Sequence, residues 1–556
     1  MPDTDDEEQP LQHQQSQSYQ TIILPTSDDD NDDDQERHFT NSSYNNHQHK
    51  PRLGNISLPI LTLCLAIGAG LTTLDSSICV TVLNHIGTEF HSANLAAWIT
   101  SAYMLTCLSA LPLVGKLSEA FGRKPVLIAT SLLFLVGSVG CGVSQSMLQM
   151  IFARAIAGFG GSGLVLLPSI LIHDLVPLEQ SSQYQSYINV SQTVTVILGP
   201  PFGGWITDMV GWRYCFQLNI VPVLAITYVY AFRLNNYNVP KENTCAWEKL
   251  RTIDFGGAFL LTIGILALAI ILMSGGNTHD WNDPFIITML FGSLLAFTGF
   301  GIYERRQGDN GLLRPETASN RNVISTCITA LGNCTSDSGI LILLPQYLTV
   351  VHGSTISESG LYLTARSITT LAGCYVAGQY VKRTGHFRNF LMAMATLYIV
   401  CAFILGKWVV AAIPHVAGVA SMCLTGTAFG AISVPLFTAV ASDIPKPQIA
   451  SATSMYVMTR YMGILLGMAL SSTLVQGNLK ILLRERINGD DADKLIEFIR
   501  TSIDKVNTLT PEVQHIVSDA LAQSLEKAYY ILASIAFISV LALMYMKNVD
   551  VRGNNK

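Results

Sequence analysis

Residues 196–204 read Val-Ile-Leu-Gly-Pro-Pro-Phe-Gly-Gly and lie inside an apolar run that continues on both sides. Two prolines remove backbone N–H donors and three glycines remove side chains. A membrane helix must therefore bend here and lie close against a neighbour. The stretch predicts a hinge formed by Gly199, Pro200, Gly203 and Gly204. A kinked helix whose only role is packing would carry the same residues, so the stretch alone leaves both interpretations open.

The composition is that of a polytopic membrane protein. Of 556 residues, 49% are hydrophobic and only 13% are charged, which is unlike a soluble enzyme of this length. Apolar runs long enough to cross a hydrocarbon core of about 30 Å occur fourteen times, near 58–83, 95–114, 125–143, 148–173, 185–208, 213–233, 256–274, 285–303, 323–347, 359–381, 389–406, 412–441, 450–476 and 528–546. The sequence therefore predicts an all-α fold with 14 transmembrane helices.

The distribution of basic residues predicts the orientation in the membrane. If the N-terminus is cytosolic, fifteen lysines and arginines fall in inside loops, whereas the short outside loops hold only Arg213 and Lys407. The positive-inside rule then places both termini in the cytosol. Residues 477–527 become one large non-cytosolic loop with amphipathic helical stretches, which we interpret as a cover or spacer.

Residues 1–50 form an acidic tail that carries 12 acidic and 2 basic residues. Such a segment buries too little apolar surface to fold, so we expect it to be disordered and cytosolic. Tyr19-Gln-Thr-Ile22 has the form of a sorting signal for adaptor proteins, and Ser27 precedes three aspartates, as an acidophilic kinase prefers. Both patterns are short enough to arise by chance.

No segment outside the spans carries enzyme-like chemistry. The eleven cysteines lie almost entirely in spans without paired spacing, which is typical of small buried thiols rather than disulfides or a metal site. The loops hold no nucleophile–base pair, phosphate-binding glycine loop or metal-ligand cluster. We therefore predict no enzymatic activity, no cofactor or metal, and no nucleic-acid partner, with membrane lipid as the surroundings.

The loop between spans 2 and 3 carries a recognisable motif. It reads Gly115-Lys-Leu-Ser-Glu119-Ala-Phe-Gly122-Arg123-Lys124 and is similar to the cytosolic loop motif of the major facilitator superfamily, with Glu119 where aspartate is usual. Gly199-Pro200-x-x-Gly203-Gly204 likewise resembles the fifth-helix signature of proton-driven antiporters in that superfamily. Glycines permit the tight turn, and the charges can latch helix ends together in one transport state. We expect Asp174 to pair with Arg123.

A degenerate copy of this loop follows span 10. It reads Gly378-Gln-Tyr-Val-Lys382-Arg-Thr-Gly385, and two copies in corresponding places indicate an internal repeat. The resemblance implies the major facilitator fold, with six-helix halves at 58–233 and 323–546 and an inserted helix pair at 256–303. Trp212-Arg213 and the following residues to Pro222 also match the superfamily, and we interpret their role as structural.

Charged residues inside the spans are the candidate site. Leu74-Asp75-Ser76-Ser77 resembles the first-helix signature of the fourteen-span drug:proton antiporter branch, and Arg154-Ala-Ile-Ala-Gly resembles the fourth-helix motif. A buried arginine costs about 2.5–3.5 kcal/mol at a helix centre and usually marks function. Because Arg154 lies near the outer end of its span, snorkelling to the surface would lower that cost. We favour the functional role.

Asp337 occupies nearly the same place in span 9 as Asp75 does in span 1, the first helices of the two predicted halves. The two carboxylates are therefore expected to approach one central cavity, with Asn189 and Gln192 on one helix face as polar contacts. Burial favours a protonated carboxyl group and a bound cation favours an ionised one, so a proton and a cationic substrate compete. A packing hydrogen bond is the alternative for each aspartate. Arg366 and Arg460 are alternative counter-ions for Asp337, and a place near the cytosolic surface is the alternative for Arg460.

Asp174-Leu-Val-Pro-Leu178 followed by Tyr184-Gln185 and Asn189 resembles the fungal vacuolar basic amino acid transporters. We therefore predict a proton-coupled antiporter that moves a small cationic substrate, such as Lys, Arg or His, from the cytosol into the vacuole. A plasma-membrane multidrug or siderophore exporter is the alternative. A nutrient sensor that signals through the acidic tail without transport is an alternative from another class.

Overall fold

A computed structural model of the protein describes residues 56–92, 95, 97–236, 254–275, 282–308, 311, 315–410, 412–445, 448–486 and 511–549. The acidic tail at 1–50, with its predicted sorting signal and Ser27 site, lies outside the described residues. So does the middle of the predicted non-cytosolic loop, at 487–510.

The described part of the chain is all α-helical, as predicted. The helices are α1 (Leu58–Glu89), α2 (Ala97–Phe121), α3 (Arg123–Val143), α4 (Met147–Leu175), α5 (Leu178–Val210), α6 (Arg213–Arg233, interrupted at 218–219), α7 (Phe255–Ser274), α8 (Pro284–Gln307), α9 (Arg321–Gln346), α10 (Ile356–Thr384), α11 (Arg388–Val409), α12 (His415–Ala441), α13 (Ile449–Arg486) and α14 (Pro511–Tyr545). A short helix, Pro315–Ser319, precedes α9, and a π-helical turn, Tyr347–Val351, extends it.

Eleven helices in the described residues are long and apolar enough to cross a membrane. The other three that coincide with predicted spans are α5, α7 and α10. Many serine, threonine and glutamine side chains lie in α5, and α10 is similarly polar, while the apolar part of α7, Phe255–Leu268, is short. Fourteen transmembrane helices therefore remain a prediction.

Helices at corresponding positions of the two predicted halves pack against corresponding partners. The first and fifth helices pack together in each half, as α1 with α5 and as α9 with α13. The second and fourth helices do the same, as α2 with α4 and as α10 with α12. Between the halves, α5 packs on α10 and α2 packs on α13. Corresponding contacts of this kind are what an internal repeat produces.

Both described ends of the predicted loop at 477–527 are helical. Helix α13 continues to Arg486 and α14 begins at Pro511. Leu479, Leu483 and Leu521 are fully buried in one cluster, and Arg486 Nη1 donates to Asp519 Oδ2 at 2.5 Å. The hydropathy falls here because polar residues appear, but a helix with one apolar face continues beyond the apolar run.

Candidate functional site

The glycine–proline stretch lies in α5, which runs unbroken from Leu178 to Val210 and packs against α1. Pro200 has no N–H, so the carbonyl of Val196 lacks its usual helical donor. The Ser77 hydroxyl of α1 donates to that carbonyl at 3.1 Å. A side chain of one helix thus replaces a backbone hydrogen bond missing from another.

The glycines of this stretch differ in what surrounds them. A Cβ atom on Gly199 would lie 2.5 Å from Ser77 Cβ, and one on Gly203 would lie 3.2 Å from Ile78 Cγ2. A Cβ atom on Gly204 would meet no atom within 4 Å. Close approach of α1 and α5 therefore requires glycine at 199 and favours it at 203, whereas Gly204 faces open space.

Asp75 and Arg154 form a buried ion pair between α1 and α4. Arg154 Nη1 donates to Asp75 Oδ2 at 2.5 Å, and the arginine and aspartate side chains are 0% and 1% exposed. Asn219 Nδ2 of α6 donates to Asp75 Oδ1 at 2.9 Å, so both carboxylate oxygens are occupied. Arg154 Nε donates to the Ile99 carbonyl at 3.3 Å, and its Cζ lies 4.4 Å from the ring centroid of Tyr103. Arg154 therefore points into the protein rather than snorkelling to the surface.

Asp337 and Arg366 form a second buried pair, between α9 and α10. Arg366 Nη2 donates to Asp337 Oδ1, and the arginine and aspartate side chains are 4% and 7% exposed. Of the two predicted counter-ions, Arg366 rather than Arg460 is therefore the partner. The arginine comes from the second helix of this half, whereas Arg154 comes from the fourth helix of the other. Each pair has no net charge, so the two aspartates do not present two free negative charges.

Asn189 and Gln192 lie on α5, as predicted, but in different surroundings. Asn189 is buried, and its Oδ1 accepts from Gln185 Nε2 at 3.1 Å. Ser169 of α4 in turn donates to Gln185 Oε1 at 3.3 Å, so Asn189 ends a short polar chain between α4 and α5. Gln192 is half-buried, and its backbone carbonyl accepts from the Thr73 hydroxyl of α1 at 3.4 Å.

The α2–α3 loop forms the predicted charge contact. Arg123 Nε donates to Asp174 Oδ2 of α4 at 2.9 Å, and Nη1 donates to Ser118 Oγ at 2.9 Å. This confirms the pairing of Arg123 with Asp174. Gly122 has a φ of +89°, which favours glycine. Glu119 Oε2 lies 3.8 Å from Lys116 Nζ, and Lys124 is half-buried at the start of α3.

The two predicted halves meet at the end of the bundle that holds the α2–α3 loop. A Cβ atom on Gly115 would lie 2.2 Å from Ser454 Oγ, the hydroxyls of Ser181 and Thr438 are 3.1 Å apart, and the rings of His173 and Phe437 stack with centroids 3.9 Å apart. These contacts join α2, α4 and α5 to α12 and α13. The bundle is therefore closed at this end.

Sequence reasoning missed the role of Asn219. Its stretch was interpreted as structural, and that fits Trp212 and Arg213, which donate to Glu89 at 2.5 and 2.7 Å. The hydrogen bond from the Trp212 indole N–H is the largest influence and holds the pKa of the Glu89 carboxyl below its usual range. Desolvation opposes it, and Arg213 lowers the pKa further. An asparagine at the start of an apolar helix was the available signal for a second role.

Sequence comparison finds transporters. The profile of the Major Facilitator Superfamily matches residues 65–468. The vacuolar membrane amino acid uptake transporter fnx2 of Schizosaccharomyces pombe is 29% identical over 89% of this chain and 85% of its own length. The multidrug resistance protein fnx1 of the same yeast is 30% identical over 85% of this chain and 89% of its own. Vacuolar basic amino acid transporter 2 of Saccharomyces cerevisiae is 27% identical over 80% of this chain and 97% of its own length.

Comparison of structures finds the same fold. The proton:xylose symporter XylE superimposes with a TM-score of 0.57 and 15% identity, covering 89% of this chain and 98% of its own. The human organic anion transporter MFSD10 gives a TM-score of 0.54 and 12% identity, covering 87% of this chain and 98% of its own. At these identities the likeness extends to the fold alone.

Proposed function

We propose that this chain, which belongs to the Major Facilitator Superfamily, is a proton-coupled antiporter. Membership of the superfamily makes it a multi-pass membrane transporter rather than an enzyme. Its substrate is a basic amino acid, which it moves from the cytosol into the vacuole. The observation that carries the proposal is the buried pair of Asp75 and Arg154. The names of two similar yeast proteins, which refer to vacuolar amino acid transport, support the choice of substrate and membrane.

The chemistry follows from competition for a carboxylate. An ionised Asp75 compensates the buried charge of Arg154, and protonation removes that compensation. A lysine ammonium or arginine guanidinium is chemically equivalent to the internal arginines. A substrate cation can therefore replace Arg154 at Asp75, or Arg366 at Asp337, whereas a proton neutralises the same oxygens. Asn189 and Gln192 supply polar contacts on the adjacent helix.

The closed end of the bundle is the cytosolic end in the proposed orientation. Arg123 and Asp174 there hold α3 against α4, with Gly115, Gly122 and the charges of Glu119 and Lys124 in the same loop region. We assign these residues to the gate. Gly199, Pro200, Gly203 and Gly204 form the flexible region of α5. The structure then represents a state closed to the cytosol, in which a proton enters from the lumen.

The test uses purified protein in liposomes with an acidic interior. We expect labelled lysine and arginine to accumulate against their gradient, and a protonophore to abolish accumulation. Excess unlabelled lysine should compete, glutamate should not, and the competition by lysine should weaken as the cytosol-facing pH falls. Accumulation that survives the protonophore, or equal inhibition by glutamate and lysine, would contradict the proposal. Binding without any flux would favour a nutrient sensor.

Export of lipophilic cations is the second candidate, because fnx1 is named a multidrug resistance protein and is as similar as fnx2. Ethidium in the same liposomes separates the two functions. Ethidium accumulation with no lysine accumulation would replace amino acid transport by drug export. Siderophore export would instead show movement of a ferric chelate.

A further inference from the structure

Arg460 of α13 is a half-buried positive charge that has no carboxylate partner among the described residues. It is the twelfth residue of α13 (Ile449–Arg486), which places it about 16 Å along the helix at 1.5 Å per residue. This is about half of the hydrocarbon thickness of about 30 Å. Its Nε is buried and makes no hydrogen bond to any described residue.

The groups nearest to the Arg460 charge are polar but uncharged. Tyr456 lies one helical turn before Arg460 and Tyr461 follows it. The next turn of α13 faces α9 at Cys334, because a Cβ atom on Gly463 would lie 3.0 Å from Cys334 Cβ. The Tyr456 hydroxyl is already used, because it donates to the Ser433 carbonyl at 3.1 Å. No nearby described group therefore neutralises Arg460.

Comparing Arg460 with the two other arginines of the candidate site gives the same result. Asp75 is paired with Arg154, and Asp337 with Arg366, so both pairs are neutral. Arg460 leaves this set with one excess positive charge. A buried guanidinium without a partner is costly and marks function when it persists in a membrane protein.

We infer that Arg460 binds the carboxylate of an amino-acid substrate. A guanidinium presents paired N–H donors in a plane that matches a carboxylate. Asp337 lies one helical turn from Cys334 on α9, the helix that packs against α13. A site with Arg460 on one side and Asp337 on the other therefore fits a zwitterion whose carboxylate and side-chain cation are separate groups.

This inference rests on the proposed amino-acid substrate and adds a requirement to it, namely a free carboxylate. Lysinamide is the matched probe, because it keeps both amines of lysine and replaces the carboxylate with a neutral amide. The experiment is displacement of labelled lysine from purified full-length protein by lysine or by lysinamide. Wild-type protein should bind lysine about 10- to 100-fold more tightly, as expected for charge-assisted hydrogen bonds.

Arg460→Gln should bring the two affinities together. Lysine should bind more weakly, whereas lysinamide should bind equally well or more tightly, because a repelling charge is gone. Arg460→Lys should retain part of the preference, since it keeps the charge but loses the paired donors. Arg484→Gln is the control, an exposed arginine on the same helix, and should leave the preference unchanged.

Damage to the fold would weaken the binding of lysine and of lysinamide together. The ratio of the two affinities therefore separates such damage from loss of a carboxylate contact. The inference is overturned if wild-type protein binds both ligands equally, or if Arg460→Gln keeps the preference or weakens both alike. In those cases lysine still binds to wild-type protein, and the proposed function stands. Wild-type protein that binds neither compound would refute the proposed substrate, and this inference with it.

Discussion

Replacing Asp75 with asparagine should destabilise the protein as well as uncouple it. The Arg154 side chain is 0% exposed, so the variant leaves a guanidinium in the core without its counter-charge. Removing one partner of a buried ion pair costs about 3–5 kcal/mol. The new asparagine side chain retains a carbonyl oxygen that can accept from Arg154 or Asn219. We therefore expect a loss at the lower end of that range, about 3 kcal/mol.

The double variant Asp75→Asn/Arg154→Gln tests the cause. It removes both charges, so its free energy of unfolding should lie about 2–3 kcal/mol above the value that additivity of the single variants predicts. Unfolding in mixed detergent micelles, followed by tryptophan fluorescence, gives these energies. Asp208→Asn, at an exposed aspartate of α5, is the control and should change stability by less than about 0.5 kcal/mol.

In the same variants, the loss of transport should not follow the loss of stability. Neither Asp75→Asn nor the double variant has a titratable carboxyl group at this position, so both should fail to accumulate lysine uphill. The double variant should nevertheless fold. Additive single-variant energies would refute the ion-pair reasoning, and undiminished uphill transport by a well-folded variant would remove Asp75 from the proton path.

Three further perturbations test other parts of the structure. Gly199→Ala should cost about 1–3 kcal/mol of unfolding free energy through overpacking against α1, whereas Gly204→Ala, in open space, should be neutral within about 0.5 kcal/mol; equal costs would show that α1 and α5 do not pack this closely. Asp174→Asn should loosen the closed end of the bundle. A cysteine placed at Ser454 should then react about tenfold faster with a thiol reagent, as loss of a charge-assisted bond implies. An unchanged rate would show that the contact between Arg123 and Asp174 does not hold this end closed. The depressed pKa of Glu89 means that its contribution to stability is present above its unfolded value of about 4.3 and is lost as the pH falls through the lower folded value. Glu89→Gln should therefore flatten the stability profile in this window, and an identical profile would refute the contact.

The positions of the helices follow from apolar runs, because a bilayer requires a minimum apolar length. The predicted span at 125–143 and α3 (Arg123–Val143) differ by two residues at one end. The predicted helix ends were least accurate where the length of a helix no longer depends on the bilayer. An example is the end of α13, which continues to Arg486.

The candidate residues were accessible from sequence, but most of their partners were not. Asp75 and Arg154 were identified separately, and their pairing depends on how α1 and α4 rotate against each other, which periodicity does not specify. Both Arg366 and Arg460 remained candidates for Asp337, and only helix packing distinguishes them. The pairing of Arg123 with Asp174 was predictable because the superfamily motif and the topology place both charges at one membrane surface.

The hydrogen bond from Ser77 to the Val196 carbonyl has a mechanical consequence. Since α5 depends on α1 to complete its own backbone bonding beside Pro200, sliding one helix past the other would leave the Val196 carbonyl without a donor. The two helices should therefore move together as one rigid body. A rocking movement that carries both helices together keeps this bond, whereas bending of α5 at Gly199 and Pro200 keeps it only if Ser77 and α1 follow the bend.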